Sequence, residues 1–354
     1  MSDAAPPALS PTHHAAIERW LWVVYGMIFC MVIVGGVTRL TGSGLSMVEW
    51  RPLMGALPPL GQEEWGRVFD LYKLSPQYQE VNHWMQLDDF KRIFFWEYLH
   101  RLLGRLIGLS FGLPWLYFTL KGALRGAWRW RAFAALLLGG AQGLLGWYMV
   151  KSGLVSRPEV SHLRLAAHLS LAFLCGAWVL SMLIDLRERE RPHPTARQPL
   201  ARTPALRPLL LGFLPLLSLQ IVYGAFMAGK RAGYLYSTFP TMNGAWVGPT
   251  VGQLTPWHND ALNNPDTIHT LHRLLAWGVM AWGIALWRAL VKGGEALALP
   301  ARAFIGALML QLTLGALTVI SGMNHALAAA HQGGAFLLLS VTLWVTQRWV
   351  RAAR

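Results

Sequence analysis

Charge is what this sequence has least of. Only 14% of its 354 residues are Asp, Glu, Lys or Arg, whereas a soluble chain carries about 25%. Hydrophobic residues make up 54%, so the polar supply cannot cover the surface of a water-soluble fold of this length. Acidic residues are scarcer still, 17 against 31 basic, for a formal charge of +14. The 2 cysteines, Cys30 and Cys175, each fall in an apolar stretch. That excludes a disulfide framework and a metal–thiolate site, and leaves them as small apolar core residues. No flavin, iron–sulfur or quinone motif is present. A soluble enzyme, a secreted disulfide scaffold and a nucleic-acid binder are excluded together.

What the sequence does have is apolar length. Eight stretches, at about 20–40, 94–119, 132–151, 163–184, 208–228, 267–290, 303–322 and 326–349, match the roughly 20 residues needed to cross a bilayer core. The expected fold is an all-α polytopic membrane protein, and a mean hydropathy of +0.35 agrees. The first span is too long for a signal-peptide core and no small-residue cleavage site follows it, so it reads as a retained anchor. Ahead of it, residues 1–19 with Pro6, Pro7 and Pro11 read as a disordered tail. An even number of spans puts both termini on one side. The loops of that side hold Lys121, Arg125, Arg129 and Arg131, the arginines from Arg187 to Arg207, then Arg288, Lys292 and Arg302. This basic excess places both termini in the cytoplasm of a bacterial inner (plasma) membrane, with anionic lipid and no nucleic acid as the partner of the charge.

The two longest outer loops are 41–93 and 229–266, a length usual for functional segments. In the first, Trp65, Val68, Phe69 and Tyr72 repeat at helical spacing opposite Glu63, Glu64, Arg67 and Asp70. The pattern predicts an amphipathic helix along the outer interface. A helix packed on the spans and a lid over a site fit it equally well.

The chain repeats itself. Leu-His-Arg-Leu-Leu occurs at 99–103 and again at 271–275; His168 is answered by His331 in similar settings, and Gln142 with Gly146 by Gln311 with Gly315. Three ordered matches imply two pseudo-symmetric four-helix bundles, 1–190 and 208–354, joined by a basic, Pro-rich cytoplasmic linker at 191–207.

His100, His168, His272 and His331 each fall five or six residues inside the start of spans two, four, six and eight. At the helical rise this sets each imidazole roughly 8–9 Å below the outer hydrocarbon boundary. Intramembrane ionisable residues are costly and usually functional. Two imidazoles per bundle are too few for a structural zinc site, which needs four ligands, and match the two axial positions of a haem iron. Gly104, Gly108 and Gly112 follow His100 on its face, Ala172 and Gly176 follow His168, and Ala276 follows His272; small residues there leave room for a flat cofactor, and are equally the signature of close helix packing. Arg101, Arg105, Arg164 and Arg273 lie near the same helix ends as candidate partners for haem propionates, or as snorkelling side chains.

The halves differ one turn before the first histidine, where Glu97 stands in one and His269 in the other. A carboxyl beside an apolar cofactor pocket is placed to exchange protons near neutrality. It is also placed to pair with Arg101 at i+4.

With these residues in view, the chain resembles the haem A synthase family, most closely its alpha-proteobacterial and mitochondrial branch. The likeness spans all eight segments. It rests on Thr-Arg-Leu-Thr-Gly-Ser-Gly-Leu-Ser-Met-Val-Glu-Trp-Arg-Pro-Leu at 38–53 and Glu-Tyr-Leu-His-Arg-Leu-Leu-Gly-Arg at 97–105. The resemblance implies an oxidoreductase of haem biosynthesis. It would convert haem O to haem A, two hydroxylations of the C8 methyl giving a gem-diol that loses water to leave a formyl group, for cytochrome oxidase biogenesis. It implies that His100 and His168 hold the substrate haem with Glu97 as the catalytic acid, and that His272 and His331 hold haem b as a metal-binding cofactor. It further implies an unidentified electron donor, haem O synthase and the cytochrome oxidase assembly machinery as partners, and is compatible with a homo-oligomer. Some members carry a cysteine pair in an outer loop; this chain has none there. The alternative is a two-haem b-type transmembrane electron carrier without oxygenation chemistry, though both haems near one face suit it poorly. A transporter is weaker still, because its site belongs near the midplane with broken helices.

Overall fold

The structure, a computed structural model, describes residues 13–49, 57–155, 157–190 and 205–352. Most of the 191–207 linker, the tail before residue 13 and the end of the 38–53 motif lie outside them. Helix dominates, and among the described residues the extended backbone reduces to one isolated bridge, Met242 with Ala245. Eight helices are long and apolar enough to cross a membrane: α1 (His14–Leu40), α3 (Leu87–Leu120), α4 (Gly126–Val155), α5 (His162–Glu190), α6 (Leu206–Gly229), α8 (Pro265–Val291), α9 (Glu295–Ile320) and α10 (His325–Ala352). They overlie the eight expected spans. Two shorter helices lie between them, α2 (Gln62–Lys73) and α7 (Trp257–Asn263). The chain is a multi-pass membrane protein.

Two compact units form. One comprises 1–38, 42–160 and 171–191, the other 39–41, 161–170 and 192–354, so far as these are described. The start of α5 groups with the second unit because His162 packs over Gly229, where an added Cβ would come within 2.4 Å of it. The His162 ring also lies with Nε2 2.8 Å from the Leu262 carbonyl.

In the first unit α3 begins several residues before its apolar stretch. Its start is fixed by a capping box in which the Gln86 N–H donates to Asp89, with Asp88 and Asp89 favourably placed in the first turn. This extension receives α2. Phe69 and Tyr72 of α2 bury against Phe90, Ile93 and Phe94 of α3, and the Tyr72 and Phe90 rings stack at 5.1 Å. The apolar side of α2 is therefore spent on protein, as in the reading of a helix packed on the spans. Burial pushes the Tyr72 phenol up to about 12, and the hydroxyl stays a donor to Gln77 Oε1 at 3.0 Å. Lower in α3, Pro114 has no N–H for the Ser110 carbonyl one turn back; the Trp20 indole of α1 donates to it instead, at 2.9 Å.

The four spans of the second unit pack in a ring, α6 on α8, α8 on α9, α9 on α10 and α10 back on α6. Their apolar core takes in Leu206 to Leu217 of α6, Val279 to Leu290 of α8, Leu297 to Leu308 of α9, and Leu338 and Val345 of α10. Phe213 and Phe304 meet at its centre with centroids 5.3 Å apart. All of this lies toward the linker side. The histidine-bearing stretches begin where the packed core stops.

Candidate functional site

One turn before His100 and one turn before His272, a loop is tied to a span. In the first unit Glu97 is 2% exposed. Its Oε2 accepts from the Ser46 hydroxyl at 2.7 Å and from the Met47 N–H at 2.8 Å, and its Oε1 is ion-paired with Arg101 one turn on. Arg101 also donates to the Met47 carbonyl at 3.0 Å. Ser46 and Met47 belong to the 38–53 motif, so the two sequence signatures form one cluster. Burying a carboxylate is tolerable only when paired and fully hydrogen-bonded, and here three donors surround it.

The second unit repeats the device with different chemistry. His269 is fully buried, with Nδ1 2.9 Å from the Ala232 carbonyl and Nε2 accepting from Arg273 Nε at 2.9 Å. Arg273 Nη1 donates to the carbonyls of Thr238, Thr241 and Pro240 at 2.8, 3.0 and 3.2 Å. The loop is held from its other end by two carboxylates. Asp260 accepts from Thr267, Asn264, Gly252 and Leu254; Asp266 accepts from Tyr236 and twice from Thr250. The Thr267 hydroxyl, with Asn264 and the two backbone N–H groups, holds the Asp260 carboxyl well below the usual carboxylate range.

The histidines sit against glycines of neighbouring helices. A Cβ on Gly35 of α1 would lie 3.3 Å from His100 Nε2, one on Gly224 of α6 3.3 Å from His272 Cε1, and one on Gly315 of α9 2.8 Å from His331 Cε1. Gly35 and Gly224 thus play one part in the two units, each letting an imidazole in flush against a backbone. Of the small residues on the histidine faces, Gly108 has open space around it, Gly104 meets only the end of Met31, and Gly112 packs on Leu136. His168 stands six residues past the start of α5 and His331 six past the start of α10. His272 is seven past the start of α8, and His100 thirteen past that of α3, because α3 begins before its apolar stretch to meet α2.

In the second unit His272 and His331 lie within electrostatic reach of each other. The Gln220 amide nitrogen is 3.2 Å from His272 Nδ1. The Gln220 and Gln311 side-chain oxygens and His331 Nδ1 are buried without a hydrogen-bond partner. Among the described residues no three or more His, Cys, Asp or Glu side chains are placed to hold a bare metal ion. A haem iron asks for only two imidazoles, and paired imidazoles seated on glycine, with unmet polar atoms beside them, fit that group. Of the Arg candidates, Arg101 and Arg273 pin loops, and Arg105 and Arg164 lie on α3 and α5, the helices of His100 and His168.

Ser46 and Met47 also line a cavity of about 350 Å³. Its walls include Leu57 to Gly61, Glu64, Val68 and Phe94, and Arg67 braces it by pairing with Glu49 at 3.1 Å and Glu64 at 2.7 Å. Sequence reasoning did not single out Ser46, Met47, Gly35, Gly224 or Gln220. For Gly35 and Gly224 a signal existed: they hold corresponding places in the first span of each half.

Comparison with known proteins gives consistent results. Residues 18–343 match the family model COX15-CtaA, described as cytochrome oxidase assembly protein. A protein of Nitrosospira multiformis named Heme A synthase is 44% identical over 93% of this chain and 92% of its own length. Proteins of the same name from Rhodospirillum centenum, 42% identical over 97% of this chain and 91% of theirs, and Nitrosomonas eutropha, 39% over 98% of both, are also similar. The chain belongs to the COX15-CtaA family of cytochrome oxidase assembly proteins.

Proposed function

We propose that this protein oxidises the C8 methyl group of haem O to a formyl group, giving haem A for cytochrome oxidase. The observation that carries the reading is the exchange of Glu97 for His269 inside an otherwise repeated frame. Both positions precede a glycine-seated histidine by one turn and both pin a loop through an arginine at i+4. Only one offers a carboxylate. The relatives' names favour this reading over an electron carrier using the same four histidines.

His100 and His168 bind the substrate's iron in the N-terminal half, 1–190, and His272 and His331 bind haem b in the C-terminal half, 208–354. When bound, haem b supplies one-electron redox chemistry. Glu97 holds and moves the proton. Its Oε2 accepts from the buried Ser46 hydroxyl, and Ser46 belongs to the wall of the neighbouring cavity, which gives the acid its nearest opening. The ion pair with Arg101 fixes the carboxylate one turn from His100. Arg101, Arg105, Arg164 and Arg273, on the histidine-bearing helices, are the candidate partners for haem propionates, and both termini lie in the cytoplasm.

The test is the pigment extracted from purified protein made in cells that supply haem O. Glu97→Ala is expected to abolish hydroxylated and formyl products and to keep haem b. His272→Ala and His331→Ala are expected to deplete haem b selectively. Loss of all pigment in Glu97→Ala, or unchanged haem b in both histidine variants, would overturn the assignment.

A further inference from the structure

The glycines that seat the histidines have companions. Four residues before Gly224, on the same face of α6, stands Gln220; four before Gly315, on the same face of α9, stands Gln311. Gln220 lies within hydrogen-bond distance of His272, at 3.2 Å from Nδ1 and 3.4 Å from Nε2. Gln311 Oε1 is packed on α10, so close that a Cβ on Gly334 would come within 2.4 Å of it. In the first half the sequence repeats Gln-x-x-x-Gly at Gln142 and Gly146. The fourth position departs: four before Gly35 stands Met31. Its methyl group reaches to within 3.4 Å of where a Gly104 Cβ would be, one turn past His100.

The difference has a chemical consequence. An imidazole bound to iron through Nε2 carries its hydrogen on Nδ1 and needs an acceptor there; such outer partners fix the ring and raise its basicity. Gln220 Oε1 is buried with no other partner. A half-turn of the amide exchanges its nitrogen and oxygen, which brings that acceptor beside the His272 ring as a second one next to the Gln220 main-chain carbonyl already bonded to it. His331 Nδ1 and Gln311 Oε1 are likewise buried without a partner, while the Gln311 main-chain carbonyl bonds the His331 ring. A thioether is at best a weak acceptor, so Met31 offers His100 nothing comparable.

We infer that the Met31/Gln220 difference decides which haem is kept and which is exchanged: Gln220 acts as a positioning residue that clamps His272 on a resident haem, and Met31 leaves His100 free to let substrate in and product out. The inference rests on the half-by-half assignment above. It answers a need of the chemistry, since one haem must leave after each turnover and the other must stay.

The experiment compares wild type, Gln220→Met and Met31→Gln as purified full-length proteins. Excess apomyoglobin serves as haem acceptor, and the pigment transferred is identified by extraction. In Gln220→Met, haem b is expected to leave roughly 10-fold faster or more, with a changed low-spin ferric EPR signal and a midpoint potential shifted upward, while haem O and A leave at the wild-type rate. In Met31→Gln, haem O and A are expected to leave several-fold more slowly with the haem b signal unchanged. Equal acceleration of both haems in Gln220→Met, or an unchanged haem b spectrum, would make Gln220 a packing residue and overturn the inference. Should Gln220→Met fail to fold, wild-type release of haem O and A from Met31→Gln overturns it alone. Wild type without haem b would sink the half-by-half assignment itself, and this inference with it.

Discussion

Glu97 has a side chain only 3% exposed, and its Arg101 partner 19%. Removing one member of such a pair leaves an uncompensated charge in an apolar setting. Arg101→Ala is therefore expected to cost about 3–5 kcal/mol, whereas Ser46→Ala, which removes one hydrogen bond to a charged group, should cost about 1.5–3 kcal/mol. Thermal unfolding in detergent ranks the two, and equal losses would mean that the Glu97–Arg101 pair is not the main anchor of the loop. The i+4 spacing of Glu97 and Arg101 was legible in the sequence, since it depends on one helix alone. Ser46 was not, because it meets Glu97 across 51 residues of chain and nothing local in either segment announces the other. Of the two expectations for Glu97, proton exchange beside an apolar pocket and pairing with Arg101, the structure shows the pair, with the buried Ser46 hydroxyl as a further donor.

Helices that approach through glycine tolerate added atoms according to what they would strike. A Cβ on Gly315 would lie 2.8 Å from the His331 ring, and one on Gly224 3.3 Å from the His272 ring. A rigid imidazole cannot fold away as a lysine end can. Gly315→Ala is expected to displace His331 and strip most haem b, with Gly224→Ala milder, measured as haem b per protein; the reverse order would mean that the helices, not the rings, give way. The outer loop of the second unit behaves differently, because charge holds it. The Thr267 hydroxyl first, then Asn264 and the Gly252 and Leu254 N–H groups, keep Asp260 ionised below its ordinary range. A depressed carboxylate contributes fully above its unfolded value, near 3.9, and its contribution drains as pH falls from there through the folded value. Hydrogen-exchange protection at Gly252 and Leu254 is thus expected to hold at neutral pH and fall below about pH 4. Asp260→Asn should lower it at neutral pH, and pH-independent protection would count against the carboxylate as the loop's anchor. The eight spans were legible because apolar length is a property of one segment. The early start of α3 was not, since its first turns, Leu87 to Arg92, are polar enough to read as loop and become helix by capping and by the cover that α2 supplies.

At the scale of the whole molecule, the even number of spans and the uneven distribution of arginine make a joint claim. If both termini are cytoplasmic, the loop pinned by Glu97 and the loop pinned by His269 face outward together, and so do all four histidine depths. Orientation can be read chemically, because both native thiols lie within spans, Cys175 half-buried and Cys30 exposed on the surface of α1, not in the core as expected. Trp257, 81% exposed, begins α7 in the second outer loop, and Lys121 is exposed in the turn between α3 and α4. Trp257→Cys is expected to react with a membrane-impermeant maleimide added to intact spheroplasts, and Lys121→Cys only after the membrane is opened. The opposite pattern would turn the molecule over and put both proposed haem sites at the cytoplasmic face. Lys121, Arg125 and Arg129 crowd the short α3–α4 turn, and a short loop this basic stays on the cytoplasmic side, which predicts against that outcome.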